Sequence, residues 1–430
     1  MVRSKPLARN GVIPHLASPS AALAIMVAIV LPVALALIYP TYTYTVYPQW
    51  FEWTRLHELP FVFFEGLVIV FALRRGLELA PAWVGLPKDV RIATLVLLTG
   101  AFIGSALYSK HPDISITGTC IQIIHLAFAV AVFHLLVHEK RRDLAALLPM
   151  FAASIAILAV YTAIWFAIAP DPSMVPGGVI WWPNAIPGFI SVRHFGSWSG
   201  AIAAGFAIAI LYGKDTDRLG WNHAFYTLSA AVTVWTGTRA AVLAMVVVAV
   251  IAVATLRRLP PARAIGRAAA LTGLALVLAW LVLPKDPTFR LIVLDEYGSV
   301  GQATAGRNEL WSQAFNRWLA SPWFGWGTDS TFWETYIGWT HTQPHNVVLQ
   351  FLISWGIVGA AGGLYLIGRA IFAVHGPSFA DDELRPLVAI LYGLLFQSLL
   401  EGMLHYPRFI GTIVFLFALL IVNRRPLQPS

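Results

Sequence analysis

Apolar positions along this chain are gathered into long continuous runs. They lie near 21–39, 60–74, 92–108, 117–137, 145–168, 196–213, 223–236, 239–256, 268–283, 345–374, 387–404 and 408–423. The runs do not alternate with a period of two, so they predict spanning helices and not the strands of a membrane barrel. In hydrocarbon every backbone N–H and C=O has to be paired inside the protein, which also favours helices. The expectation is an all-α, polytopic membrane protein with about twelve transmembrane helices. The 60–74 run is short and carries Glu65, and the 223–236 and 239–256 runs are joined by a very tight turn. Two long connections interrupt the pattern, a smaller one at 169–195, rich in Pro, Gly and Trp, and a larger one at 284–344. The predicted organisation is therefore nine helices within 1–283, a large loop over 284–344, and three more helices with a polar tail over 345–430.

Composition agrees with the pattern. Hydrophobic residues make up 58% of the 430 and charged residues 12%, whereas soluble domains carry about 25% charged residues. In a soluble protein a net charge of +8 would suggest a nucleic-acid partner. Here the basic residues follow the loops, and the side bearing both termini holds most of the Lys and Arg. The positive-inside rule then puts both termini in the cytoplasm and both long loops outside. The expected partners include membrane lipids and no nucleic acid. The single cysteine, Cys120, excludes an intramolecular disulfide and a thiolate metal site. The first apolar run shows no small-residue cleavage site and is read as a retained helix.

A loop of this length without disorder-prone composition is usually functional. Within it Leu310, Trp311, Ala314, Phe315, Trp318 and Leu319 recur at helical spacing, and Ser321-Pro322 stops the run. This predicts a short amphipathic helix lying against the membrane or the bundle, so the large loop should be partly helical. Aromatic residues follow, Trp326 and Trp339 among them, and fit either an interfacial aromatic belt or stacking faces for sugar rings. Arg307 falls in the first turn of the loop helix, Arg239 opens the 239–256 helix, and Arg193 stands just before another helix start. A cation at a helix N-terminus opposes the macrodipole. Either an anionic ligand shared by the arginines and free helix N–H groups offsets that cost, or each side chain snorkels to lipid phosphate.

The sharpest local pattern is His345-Asn346, nine residues, Gly356, two residues, Gly359. Pro344 suits the first turn of a helix, which puts His345 at the outer mouth of a long span. The positive helix end there favours neutral imidazole, the form that accepts a proton. The two glycines allow close helix packing. From spacing alone, a lone histidine at a helix mouth is more often an interfacial residue. Asn346 would orient the histidine or a sugar. The outer loops show no clustered carboxylates of metal-site type.

This pattern resembles the His-[Asn/Ser/Gln]-x9-Gly-x2-[Gly/Thr/Tyr] element of the O-antigen ligase family, which also follows a large periplasmic loop. Arg239-Ala-Ala-Val-Leu243 matches the family's Arg-x3-Leu element, and Arg307, in Gly306-Arg-Asn-Glu-Leu-Trp, matches its loop arginine by position. The resemblance extends to the topology of the whole chain. It implies a membrane glycosyltransferase of GT-C type in the bacterial inner membrane, with its active site facing the periplasm. The implied reaction moves O-antigen polysaccharide from undecaprenyl diphosphate to a sugar hydroxyl of lipid A–core. It inverts the anomeric centre and uses no ATP, cofactor or obligatory metal. His345 would be the base, Arg239 and Arg307 would hold the diphosphate, and Arg193, Asn346, Trp326 and Trp339 would contact substrate. O-antigen polymerases and pilin O-oligosaccharyltransferases share the lipid-diphosphate donor and stand as alternatives. From another class, a lipid flippase or secondary transporter would place charge at mid-span, where Glu65 is the main candidate and Glu401 lies near a helix end.

Overall fold

The computed structural model describes residues 19–38, 59–137, 144–168, 189, 192–213, 220–281, 307–330 and 343–424. Among these residues the structure is all-helical, with no strand. In chain order the helices are α1 (Pro19–Ile25), α2 (Leu31–Ile38), α3 (Leu59–Arg74), α4 (Leu79–Gly85), α5 (Lys88–Ile103), α6 (Pro112–Val137), α7 (Leu148–Ile168), α8 (Val192–Tyr212), α9 (Trp221–Trp235) and α10 (Arg239–Leu256). Then come α11 (Ala262–Leu281), α12 (Arg307–Leu319), α13 (Val347–Ala380), α14 (Arg385–Ser398) and α15 (Pro407–Asn423). A π turn, Met26–Val30, joins α1 to α2, and another, Gly104–Tyr108, extends α5.

Each apolar run read from the sequence overlaps a helix among the described residues. Among the described residues, seven continuous helical stretches are long and apolar enough to cross a membrane, and α15 is a shorter apolar helix. The chain is a polytopic membrane protein, all-helical among the described residues. Of the sequence-based domain division, most of 284–344 and of 169–195 lies outside the described residues.

The core forms around α8, which is buried along nearly its whole length and is flanked by α9, α10 and α14. Small residues set how closely these helices approach. A Cβ on Gly393 of α14 would stand 3.0 Å from the Ala201 Cα of α8. Gln397 reinforces the same pair by donating its side-chain N–H to the Ser197 carbonyl at 3.1 Å. A second pair, α5 and α13, meets backbone to backbone at Gly100 and Gly359, where an added Cβ on Gly100 would fall on the Gly359 backbone. The reading of Gly359 as a packing glycine therefore agrees with the structure.

Gly356 does something else. Its φ of 61° and ψ of −171° break α13 in two. The segment after α12 enters that break. Ile357 N–H donates to the Pro322 carbonyl at 2.8 Å, Val358 N–H to the Trp323 carbonyl at 3.2 Å, and Trp326 N–H to the Ile353 carbonyl at 2.7 Å. Loop backbone thus replaces the helical partners that the break removes, which a low-dielectric interior demands. The inserted segment is then tied down by hydroxyls. Trp355 Nε1 donates to Thr328 Oγ1 at 2.9 Å, and Thr328 Oγ1 pairs with Thr119 Oγ1 at 2.6 Å. The amphipathic helix expected after Gly306 is α12, with Leu310 and Ala314 packed on Ile353 of α13. Of the two surfaces proposed for it, the bundle takes the buried stripe, while Phe315 and Leu319 stay exposed.

Gly356→Ala should destabilise the protein by about 1–3 kcal/mol or more, through forced positive φ and collision with the Trp323 backbone. Gly66→Ala, at a helical position with open space around it, is the control and should be neutral or slightly stabilising. Thermal melts of the two variants in detergent make the comparison.

Candidate functional site

Three arginines occupy the first turns of three helices, Arg193 in α8, Arg239 in α10 and Arg307 in α12. The bundle brings these turns together at one end, where Arg193 lies within electrostatic reach of Glu401, Arg307 and Arg239. Glu401, 2% exposed, sits just past the C-terminus of α14 on a tight turn. Its N–H is bonded to the Gln397 carbonyl at 2.7 Å. Its Oε1 accepts from Arg307 Nη2, and its Oε2 stands 3.7 Å from His345 Nδ1. A buried carboxylate between guanidinium groups is the arrangement that makes burial of its charge tolerable.

His345 is held by its neighbours on both sides. Its backbone is left-handed, with φ of 53°, a conformation that non-glycine residues adopt at some cost and that concentrates at functional sites. Gln343 secures it, its Oε1 accepting the His345 N–H at 2.7 Å. The same carboxamide directs Nε2 to His345 Nδ1 at 3.0 Å and to the Glu401 carbonyl at 3.3 Å.

Asn346 is the N-cap of α13, with Oδ1 accepting from the N–H groups of Val348 and Leu349 at 3.0 and 3.1 Å. Its Nδ2 donates to the Leu399 carbonyl at 3.1 Å, two residues before Glu401. Asn346 therefore joins the histidine's helix to the glutamate's turn. These bonds are to backbone groups of α13 and of the turn after α14. α13 begins later than the sequence suggested. Pro344 lies ahead of the cap, outside the first turn, and its carbonyl accepts the Trp311 indole N–H at 2.9 Å. His345 consequently stands one residue before the cap, outside the helix.

The remaining sequence-derived residues separate. Trp326 packs with Leu310 and Ala314, donates its indole N–H to the Arg317 carbonyl at 2.9 Å and lies under the Arg317 guanidinium. Those contacts anchor the loop against α12. Trp339 lies outside the described residues. Glu401 and Gln343 were not among the residues picked from sequence. Glu401 had been noted only as a charge near a helix end, and Gln343 is marked by nothing beyond its place two residues before His345. Glu65, the mid-helix carboxylate, accepts from or shares a proton with His125 Nδ1 at 2.6 Å. Both side chains are buried, and the pair bridges α3 and α6. Among the described residues no group of three or more His, Cys, Asp or Glu could hold a metal ion.

One end of the bundle thus brings together cations at helix N-termini, a buried carboxylate and an imidazole. Residues 224–363 match the family model described as O-antigen ligase, and this match supports the O-antigen ligase family for the chain. The matched segment is about a third of the chain and holds Arg239, Arg307, Gln343 and His345, with Gly356 and Gly359. It supports an activity of O-antigen ligase or polymerase type and lipid-linked polysaccharide as the kind of substrate. No curated protein and no solved structure matches the chain.

Asn346→Ala removes a cap that is worth about 1 kcal/mol and should lower the melting temperature. Asn346→Asp keeps the cap oxygen but not the Nδ2 donor to Leu399, and should keep most of the stability while losing activity. Melting curves and turnover measured on the same preparations separate the two losses.

Proposed function

We propose that the protein is an O-antigen ligase. It transfers O-antigen polysaccharide from undecaprenyl diphosphate to a sugar hydroxyl of lipid A–core, at the periplasmic face of the bacterial inner membrane, with both termini in the cytoplasm. The observation that carries this is that Arg193, Arg239 and Arg307, each in a helix first turn, lie within electrostatic reach through Arg193, and that Glu401, paired with Arg307, stands 3.7 Å from His345 Nδ1. Helix N-termini and guanidinium groups both favour a diphosphate.

In this mechanism the acceptor oxygen attacks the anomeric carbon from the face opposite the diphosphate, so the configuration inverts. The new C–O bond forms as the bond to the diphosphate oxygen breaks, and that electron pair leaves with the diphosphate. The arginines stabilise the charge growing there. The proton of the acceptor hydroxyl goes to the His345 imidazole. A lipid-borne donor suits a compartment without nucleotide sugars, and no ATP-dependent step is required. Trp326 serves the loop's packing in this scheme, and a sugar-stacking role is kept for the aromatic residues of the loop such as Trp339.

His345→Ala should lower transfer by about 10²–10⁴-fold, the range for loss of a general base. Arg307→Ala should lower it by about 10²–10³-fold. The assay is transfer by purified protein in vesicles from lipid-linked donor to lipid A–core. Near-normal transfer by both variants, folded and inserted, overturns the proposal. Transfer onto another lipid-linked O-antigen chain would instead identify a polymerase, and transfer onto a protein hydroxyl an oligosaccharyltransferase.

A further inference from the structure

The hydrogen-bond network around His345 fixes which ring nitrogen carries the proton, and it is the wrong one for a base poised to act. Gln343 Oε1 takes the backbone N–H of His345, so the amide NH2 is the end that meets Nδ1. An amide N–H can only donate. Nδ1 therefore accepts, and the proton of the neutral imidazole sits on Nε2. In that tautomer Nε2 cannot take a proton from an acceptor hydroxyl, and the lone pair of Nδ1 is engaged by Gln343. Glu401 Oε2 stands 3.7 Å from Nδ1, beyond hydrogen-bond distance and about 1 Å short of a charge-assisted bond. The carboxylate is meanwhile held by Arg307.

We propose that Glu401 is a positioning residue that exchanges partners, from Arg307 in the free enzyme to His345 Nδ1 once a polyprenyl diphosphate occupies the arginines. The diphosphate oxygens take the Arg307 donors. With the arginines engaged by diphosphate, Glu401, 2% exposed and unable to turn to water, has the imidazole 3.7 Å away as a donor. A proton leaves Nε2 for solvent and one is gained at Nδ1, so the ring's charge is unchanged. Nδ1–H donates to Glu401 Oε2 in place of the Gln343 contact, and the lone pair of Nε2 is released to the acceptor hydroxyl. During transfer the carboxylate stabilises the imidazolium that forms, as a carboxylate does behind a catalytic histidine elsewhere. The donor thus primes the base, and the acceptor reacts second. This exchange rests on the proposed diphosphate site and adds to it an order of binding.

The experiment uses full-length protein with ¹⁵N-labelled histidine and the sugar-free probe undecaprenyl diphosphate. The His345 signals are assigned by difference from His345→Ala. In the free protein the Nδ1 resonance should be that of an unprotonated, accepting nitrogen. With saturating probe the proton should be found on Nδ1. A probe that binds, read by competition with donor, and leaves the proton on Nε2 overturns the exchange while leaving the diphosphate site intact. A probe that does not bind overturns both. In transfer assays Glu401→Gln should lower kcat by about 10²-fold or more with donor KM unchanged or lower, because Arg307 no longer carries its internal anion. Glu401→Asp should recover part of kcat. Equal losses in kcat and donor affinity in Glu401→Gln, with no recovery in Glu401→Asp, would mean a merely structural glutamate and would overturn the proposal.

Discussion

The break in α13 at Gly356 is the constraint on which the site depends. A helix interrupted inside a bundle leaves backbone donors and acceptors that cost several kcal/mol each if unmet in a low-dielectric interior. Here the carbonyls of Pro322 and Trp323 and the N–H of Trp326 meet them. The loop is therefore bound into the helix by backbone bonds, and side-chain substitutions within it have little power to release it. Because α12 leads directly into that segment and packs Leu310 and Ala314 on Ile353, the position of Arg307 at the other end of α12 follows. His345 lies at the start of the same α13. One fixed joint thus sets the separation of the loop arginine from the imidazole.

Charge then decides how the site can be used. Arginine in a helix first turn is unfavourable by some tenths of a kcal/mol in water, and by more where solvent is scarce. Three such turns meeting at one end would repel one another without an anion among them. Glu401 supplies one, and its place on the turn after α14, braced by Gln397 against α8, keeps it where all three helices converge. A single carboxylate paired with a guanidinium and 3.7 Å from an imidazole has a second donor at hand whenever a substrate takes the first. The same burial that makes Glu401 costly alone is what makes its preference responsive.

Much of the architecture was legible in the sequence because continuous apolar runs have few physical solutions in a membrane. The runs from 21–39 to 408–423 each overlap a helix, and the stripe from Leu310 to Leu319 ends as read before Ser321-Pro322. Arg193, Arg239 and Arg307 were legible because a cation at a helix start is locally unfavourable and so conspicuous. What stayed hidden depends on contacts far apart in the chain. Glu401 lies 94 residues from Arg307, and nothing near it in sequence shows that it closes an ion pair. Gly356 reads as a packing glycine by spacing, and only the approach of Trp323 reveals that its φ is positive. Pro344 suggested a helix start two residues too early, because a proline suits a first turn but does not fix it, whereas the Asn346 side chain caps α13 outright.

The buried Glu65–His125 pair bears on the competing transport reading. An ionisable residue inside a span is by default a functional hypothesis, and from sequence Glu65 stood without an obvious partner. In the folded chain its carboxylate is met by an imidazole at 2.6 Å between α3 and α6, and a buried polar pair of that kind can be retained for fixing the register of two helices as much as for moving a solute. By contrast, Glu401 faces groups that are themselves arranged at helix N-termini, on elements that include the family-matched segment. Of Glu65 and Glu401, the one with arginines at helix N-termini around it is the one near His345, and that asymmetry favours group transfer over passage of a substrate through the bundle.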